Sequence, residues 1–380
     1  MPPSQILVIN CGSSSIKYEW MGIGRDAPTA MYAGQRECAP EDIAALLPSI
    51  LEELAACPQL NTANLMAIGH RFVHGGHVHS RPLRLDHDSL ATLETLTDLA
   101  PLHHAPALAG MRICLDLLPC IPQFAVFDTA FHHTLPPRAY RYALPESWYP
   151  EHHVRRYGFH GSSHAYAGRM AQIWLDLPAD DSRIVTLHLG SGASACAIRN
   201  GCSIDTSMGF TPSEGLVMGT RSGDLDPGIL PWMAGRTGHS VEALAYALLH
   251  ESGLKGLAGT ADMRTLETRT AEGNADASLA LDIWAYRIQK YVGAYFVALG
   301  GLDALVFTGG IGEHSAMARA LVCRGLACLG IHLDGNANLA DTTHDVSDIA
   351  ADDASIRVLV IKTREALEIT HQIMACLSHD

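Results

Sequence analysis

Apolar positions along the chain follow two different spacings. Short runs of aliphatic and β-branched residues end in glycine-rich turns, and they alternate with stretches whose apolar residues recur every three or four positions, as in an α/β protein. Ile6 to Ile9 predicts a strand, followed by the turn Asn10-Cys11-Gly12-Ser13-Ser14-Ser15 and a second strand from Ile16 to Trp20. Ile184 to Leu189 predicts another, followed by Gly190-Ser191-Gly192-Ala193-Ser194-Ala195 and then Cys196 to Ile198. Superposing Gly12 on Gly190 aligns strand, turn and strand, so one lobe is expected to repeat the other. A third unit, Ala304 to Thr308 with Gly309-Gly310-Ile311-Gly312, runs into a helical pattern from about Ser315, a suitable N-cap, to Leu329. Trp284, Ile288, Tyr291, Tyr295 and Leu299 form a stripe on a long helix predicted from Ala275 to Leu299, facing the core or a second subunit. Arg364 to Leu377 is a last amphipathic helix, and the polar stretch Glu267 to Asp276 reads as a mobile loop.

Length and charge narrow the class. The 380 residues are 48% hydrophobic and 17% charged, which is too apolar for disorder and long enough for two or three domains. Twenty-six basic against forty acidic residues give a net charge of −14, spread along the chain, which disfavours nucleic acid and anionic lipid as partners. The first residues lack the basic flank and apolar run of a signal peptide, and no long uncharged apolar run occurs, so a cytosolic, non-membrane protein is expected. Ten cysteines without any C-x-x-C read as reduced core residues, not as a disulfide or zinc framework.

Several segments carry candidate chemistry. Glycine-serine turns after buried strands let main-chain N–H groups approach phosphate, and Lys17 adds a point charge, although the P-loop order is missing. Any one of these turns is equally well an ordinary tight turn. Gly190-x-Gly192-x-x-Ala195 fits the dinucleotide fingerprint formally, with Asp205 in place of the ribose acid. An NAD-binding oxidoreductase would need a helix after that turn, whereas Ala193 to Ile198 followed by Asn200-Gly201 reads better as a strand ending in a hairpin. Arg71 and Arg221 lie in glycine-rich apolar segments, where a guanidinium needs either an anionic ligand or one of the chain's own carboxylates. Asp128 ends the apolar run Phe124 to Phe127, where strand-end carboxylates commonly face a cleft, and His160 stands among glycines and serines. His70, His74, His77 and His79 do not share one face of a strand and lack a completing cysteine or carboxylate, which argues against zinc.

Taken in order, Asn10-x-Gly12-Ser13-Ser14-Ser15-x-Lys17, Gly69-His70-Arg71 to Gly76, Phe127-Asp128-Thr129-Ala130-Phe131-His132, Arg156 to His164, Gly209-Phe210-Thr211-Pro212 to Gly228, Asp262-Met263-Arg264 and Gly309-Gly310-Ile311-Gly312-Glu313 resemble the acetate kinase family, which includes propionate and butyrate kinases. The resemblance implies an α/β fold of two duplicated lobes of the actin, hexokinase and Hsp70 (ribonuclease H-like) type, with a nucleotide cleft and usually a homodimer. It places the lobes at 1–132 plus 366–380 and at 133–365. It implies ATP or ADP as co-substrate and Mg²⁺ or Mn²⁺ as cofactor. The phosphate and metal region corresponds to Asn10, Ser13, Ser15, Lys17 and Glu365, with Asn10 and Glu365 as metal ligands. Nucleotide contacts fall on His188, Leu189, Gly190, Ser191 and Gly192, on Asp262, Met263 and Arg264, and on Gly310, Ile311, Gly312, Glu313 and His314. Arg71 and Arg221 match the substrate arginines, Asp128 the catalytic acid, and His160 and His103 the transition-state histidines, while Val73, Leu102, Phe159 and Pro212 map to the apolar substrate pocket.

Three departures stand out against the family's usual pattern. Ser191 and His314 replace asparagines, and Thr363-Arg364-Glu365-Ala366 keeps one of two acids, Glu365, which should suffice for a magnesium ion that retains its waters. The expected reaction is direct in-line phosphoryl transfer between ATP and acetate, propionate being the alternative acceptor. The acceptor is already an anion at pH 7, so Asp128 is expected to anchor other groups in preference to acting as a base. A non-catalytic ATP-dependent clamp is the remaining rival, and it would have no use for a carboxylate site.

Overall fold

The computed structural model describes residues 4–24, 28–57, 60, 62–340 and 344–378. The chain divides into two compact units, Met1–His133 with Arg364–Asp380, and Thr134–Thr363. This division places Glu365 in the same unit as Arg71.

Unit 1 is built on a six-stranded sheet of β1 (Ser4–Cys11), β2 (Ser15–Ile23), β3 (Pro28–Glu37), β4 (Leu65–Phe72), β5 (Leu83–Arg84) and β6 (Gln123–Phe127), in the order β3-β2-β1-β4-β6-β5. The period-two alternation of β1 explains its two-sided burial. Leu7 and Ile9 pack with the helix Ile43–Ala56 on one face, while Ile6 and Val8 meet Ala366, Ile369 and Ile373 of the C-terminal helix Glu365–Leu377 on the other.

Unit 2 repeats this plan with β7 (Arg183–Leu189), β8 (Ala193–Arg199), β9 (Cys202–Thr206), β10 (Ala304–Thr308), β11 (Val346–Asp348) and β12 (Arg357–Ile361), ordered β11-β12-β10-β7-β8-β9. Read from its other end, this sheet has the order of the first. Strand directions agree as well: β1/β2 and β7/β8 are antiparallel, and β1/β4 and β10/β7 are parallel. The predicted duplication is therefore present in both connectivity and direction.

The chain continues past Ala195 as a strand, and Asn200 and Gly201, at φ of 54° and 73°, form the hairpin turn to β9. That removes the helix on which the dinucleotide reading depended. The long helix spans Ala275–Leu299, with Trp284, Ile288, Tyr295 and Leu299 of its stripe buried. Tyr291, half-buried, donates its hydroxyl to Asp224 at 2.8 Å.

Three sequence expectations need correction. Residues Glu267 to Ala271 are not a loop. They belong to the helix Met263–Ala271, which Asp262 caps by accepting from Thr265 N, and whose Met263 and Leu266 are buried while Arg264, Thr268 and Arg269 face outward. The segment Gly309–His314 is itself a short helix, and the following one is shorter than expected, Ala316–Arg324 capped by Ser315, before a 3₁₀ turn at Ala327–Leu329. Gly309 makes the strand-to-helix corner possible: at φ 77°, with Leu189 main-chain atoms 2.8–3.1 Å from where a Cβ would sit, only glycine fits. The cysteines are all free, yet only Cys11, Cys114, Cys196 and Cys323 are buried, and Cys120, Cys202 and Cys328 are exposed. No helix among the described residues is long and apolar enough to cross a membrane.

Candidate functional site

In unit 1 the chemistry gathers at the C-terminal ends of the parallel strands, the usual place for a site in such sheets. Arg71 lies near the end of β4 and Asp128 immediately after β6, and Asp128 N donates to Phe72 O at 3.0 Å. Arg71 grips Asp128 with two nitrogens, Nε to Oδ1 at 2.9 Å and Nη2 to Oδ2 at 2.5 Å. Glu365 Oε2 stands 3.8 Å from the same Nε. Sequence reasoning left Arg71 with a choice between ligand and internal partner. The structure gives it an internal partner and leaves Nη1 without a hydrogen bond among the described residues. Burial pushes the Asp128 carboxyl up to about 6, with Arg71 pulling against it and Glu365 adding to the rise. Burial pulls Arg71 down, but Asp128 and Glu365 outweigh it, so the guanidinium stays charged.

A cavity of about 70 Å³ is lined by Asn10, Lys17, Glu19, Arg71, Glu365 and Ala366, among others. Glu19 was missed in the sequence, although the alternation of β2 places it on the face of Lys17. Burial raises its carboxyl, Arg364 lowers it and Glu365 raises it further. Asn10 and Glu365 offer only hard oxygen donors, and no group of three or more His, Cys, Asp or Glu among the described residues is arranged to hold a metal. Few protein ligands and room for waters suit Mg²⁺ or Mn²⁺ carried with a nucleotide. Ser13 is exposed and Ser15 half-buried in the first turn, where Gly12 N donates to Ser15 O at 2.9 Å. Val73 and His103 are half-buried, and Leu102 is exposed at the start of the helix Pro101–Leu117. Three of the four histidines between 70 and 79 are held within the fold, where His70 pairs with Gln123 at 2.9 Å, Gly76 N donates to His74 Nδ1 and His79 stacks on Phe127, while His77 is exposed.

In unit 2, His160 takes the left-handed conformation at φ 57° just before the helix Gly161–Trp174, which turns its ring toward β7 and β8. Its Nδ1 lies 2.9 Å from Ser194 Oγ. Its ring centroid is 4.3 Å from that of His188, whose Nδ1 is 2.8 Å from Ser163 Oγ. Arg221 and His160 converge above Gly192: a methyl there would lie 3.5–3.6 Å from His160 Cε1 and Nε2 and 3.6 Å from Arg221 Nη1. Arg221 donates from Nη1 to Pro212 O at 3.1 Å and has no carboxylate partner among the described residues. Burial alone acts on its pKa and lowers it.

The loop carrying Pro212 is held by a cluster that the sequence reading did not single out. Arg156 donates from Nη1 to the carbonyls of Thr206, Ser207 and Met208 at 3.0–3.2 Å, and from Nη2 to Glu214. Tyr142 also donates to Glu214 and accepts from Phe210 N at 2.9 Å.

Several expected nucleotide residues serve the fold with their side chains. Leu189 and Met263 are buried, as is Phe159 of the expected acceptor pocket. Glu313 Oε1 accepts from Gly309 N at 3.0 Å and Thr363 N at 2.8 Å, and Asp262 pairs with Arg264 at 3.0 Å besides capping its helix. In the second turn Gly190 N donates to Gly192 O, and Gly219 N donates to Ser191 O. Gly310, Ile311 and Gly312 form the first turns of the short helix, and exposed His314 borders a cavity of about 300 Å³ with Arg319 and Asn338.

The chain is similar in sequence and fold to carboxylate kinases. The sequence profile of the Acetokinase family matches residues 29–371. An acetate kinase from an Arthrobacter species is 46% identical over 97% of this chain and 98% of its own, and a propionate kinase from Citrobacter koseri is 43% identical over 97% and 96%. The crystal structure of Porphyromonas gingivalis acetate kinase superposes with a TM-score of 0.89 at 37% identity, over 98% of this chain and all of that one. With a profile match across most of its length and relatives well above 40% identity, the chain belongs to the acetokinase family.

Proposed function

We propose that the protein catalyses reversible phosphoryl transfer between ATP and acetate, giving ADP and acetyl phosphate, by direct in-line displacement without a phosphoenzyme. The observation that carries this reading is Arg221, a half-buried guanidinium with no carboxylate beside it among the described residues, converging with His160 over a glycine. A largely buried guanidinium without an internal anion is costly unless it meets one, and the planar fork suits phosphoryl oxygens.

On this reading the residues divide the work. Arg71, oriented by Asp128, offers Nη1 to the acceptor carboxylate. Arg221 and His160 neutralise charge developing on the transferring oxygens, and Lys17 covers donor phosphates. His103 is the second histidine that the resemblance assigns to the transition state, and Ser13, Ser15 and the turn Gly190–Gly192 offer main-chain and hydroxyl donors to the nucleotide. Mg²⁺ or Mn²⁺, when bound, supplies Lewis-acid neutralisation of the donor phosphates, and Asn10 and Glu365 would hold it. The acceptor needs no deprotonation, so the bidentate Arg71–Asp128 pair supports Asp128 as an anchor.

Propionate is the second reading, favoured by the propionate kinase among relatives of similar identity. One methylene is worth only about 1–3 kcal/mol in an apolar pocket, so Val73, Leu102, Phe159 and Pro212 would discriminate weakly. The exposed Trp232, Tyr246 and Val297 support a homodimer, and the net charge of −14 supports a soluble cytoplasmic enzyme. Hydroxamate trapping with ATP, Mg²⁺ and a panel of two- to four-carbon acids tests the proposal. Hydroxamate from acetate or propionate is expected. ATP binding without hydroxamate from any acid would favour a clamp and overturn the reading.

A further inference from the structure

His160 belongs to a chain of four buried or half-buried side chains, and its members have just enough protons to fix its direction. His160 Nδ1 lies 2.9 Å from Ser194 Oγ, Ser194 Oγ lies 2.7 Å from His164 Nε2, and His164 Nδ1 lies 2.7 Å from Thr186 Oγ1. Thr186, His164 and Ser194 are each 0% exposed. The four residues come from β7, β8 and the start of the helix Gly161–Trp174, all within one unit.

The direction follows from counting protons. A hydroxyl has one proton to donate, and a neutral imidazole has one nitrogen that donates and one that accepts. Among the described residues, the Thr186 hydroxyl makes one hydrogen bond, to His164 Nδ1. If His164 Nδ1 carried the proton, the Thr186 hydroxyl would accept, and its own proton would be buried with nowhere to go. Such orphaned buried donors are expensive and rare. Thr186 therefore donates to Nδ1, His164 carries its proton on Nε2 and donates to Ser194, and Ser194 donates its single proton to His160 Nδ1. His160 is left with its proton on Nε2, the nitrogen that lies 3.6 Å from the Cβ position above Gly192, where Arg221 also points.

We infer that Thr186, His164 and Ser194 are positioning residues that lock His160 as the neutral Nε2–H tautomer, so that the ring presents a hydrogen-bond donor to phosphoryl oxygens without needing to be protonated. The inference about the tautomer stands on the hydrogen bonds alone; its catalytic consequence rests on the phosphoryl-transfer reading. Without the chain, a neutral His160 would partition between tautomers, and the form with a bare Nε2 would turn a lone pair toward an anion. Among the described residues the Thr186 side chain is hydrogen-bonded to His164 alone, so an effect of Thr186 on where the His160 ring carries its proton is expected to travel through His164 and Ser194.

The test is nitrogen NMR of the full-length protein labelled with ¹⁵N at histidine, which reports directly which ring nitrogen bears the proton, alongside steady-state kinetics. In the wild-type protein His160 is expected as the Nε2–H tautomer. Thr186→Val keeps the shape and removes the first donor, so His160 should show a mixture of tautomers, with kcat lowered roughly three- to tenfold and the KM for the carboxylate unchanged. Ser194→Ala should do the same by cutting the last link, and Ser194→Thr, which keeps a hydroxyl, should restore both tautomer and rate. Nδ1–H at His160 in the wild-type protein, or a ring spectrum unmoved by both Thr186→Val and Ser194→Ala, would overturn the inference. If the spectra respond as expected and no acid yields hydroxamate, the phosphoryl-transfer reading fails while the positioning chain stands.

Discussion

Replacing Asp128 by asparagine should cost activity without costing stability, and the Arg71–Asp128 pair shows why. Two effects oppose each other. Breaking a buried ion pair by removing one charge typically destabilises by about 3–5 kcal/mol, because the surviving charge is stranded. Against that, burial lifts the Asp128 carboxyl from 3.8 to about 6. An acid whose folded pKa is raised binds its proton more tightly folded than unfolded. That contribution is complete below about pH 4 and is lost as pH rises through about 6. At pH 7 the folded protein therefore carries an ionised Asp128 at a cost relative to the neutral acid, which the amide mimics. The first effect is weak here: Arg71 is 21% exposed, Glu365 lies 3.8 Å away, and an amide oxygen can still accept from Nε. Asp128→Asn should be at least as stable as the wild type at pH 7, not the roughly 3–5 kcal/mol less stable that a stranded charge would imply. Urea unfolding between pH 5 and 8 would show the wild type gaining on the variant as pH falls through about 6. In the same variant kcat/KM for the carboxylate should fall about 100-fold through loss of Arg71 alignment, and raising the pH should not restore it. A variant about 3 kcal/mol less stable at pH 7, with a gap that acid does not close, would refute the electrostatic reasoning, and recovery of rate at high pH would make Asp128 a proton acceptor.

Three further outcomes follow from the same geometry. Arg221→Ala should lower kcat about 100- to 1,000-fold, by analogy with loss of a donor to a developing charge, while leaving the KM for the acid nearly unchanged; Arg71→Ala should mainly raise that KM, and steady-state kinetics with both substrates varied separates the two. Gly192→Ala should fold normally, since its methyl would meet His160 and Arg221 at ordinary contact distances of 3.5–3.6 Å, yet it would fill the space where they converge; about tenfold weaker ATP binding by calorimetry is expected, and unchanged binding would remove that space from the nucleotide's path. Gly309→Ala should destabilise by more than the roughly 1–2 kcal/mol of a left-handed backbone, because its methyl would also lie 2.8 Å from Leu189 O, and the urea midpoint measures this.

The fold was readable because the elements announced themselves locally. Both strand-turn-strand units carry apolar alternation on either side of a glycine turn, and Asn200-Gly201 marks a hairpin by residue type alone, so the strand after Ala195 needed no tertiary information. The failures were also local. The polar run from Glu267 to Asp276 looked like a loop because the two residues that bury its first half, Met263 and Leu266, lie mostly upstream of it, while Asp262 supplies the cap. Gly309-Gly310-Ile311-Gly312 looked like an open turn, although it begins a short helix, because glycine suits both a turn and a close approach. What decides between them is the Leu189 backbone, a strand more than a hundred residues away in sequence.

The site was legible as residue types but not as pairings. A sequence can nominate Arg71 and Arg221 as buried cations in glycine-rich segments, and both nominations were made on the same grounds. Only the structure distinguishes them. Parallel pairing of β4 with β6 brings Asp128 beside Arg71, since the two strands end in step at Phe72 and Phe127. The loop that bears Arg221 is instead fixed by Arg156, and its acid Glu214 is already paired with Arg156 and accepts a hydrogen bond from Tyr142. Arg221 is left with a carbonyl and a sulfur as neighbours. The asymmetry is itself informative: one arginine is held by an internal carboxylate and needs only to be steered, while the other lacks an anion and needs one supplied. A reaction that brings a carboxylate to the first and a phosphoryl group to the second uses that difference, whereas a protein that merely clamps a nucleotide has no use for a carboxylate site.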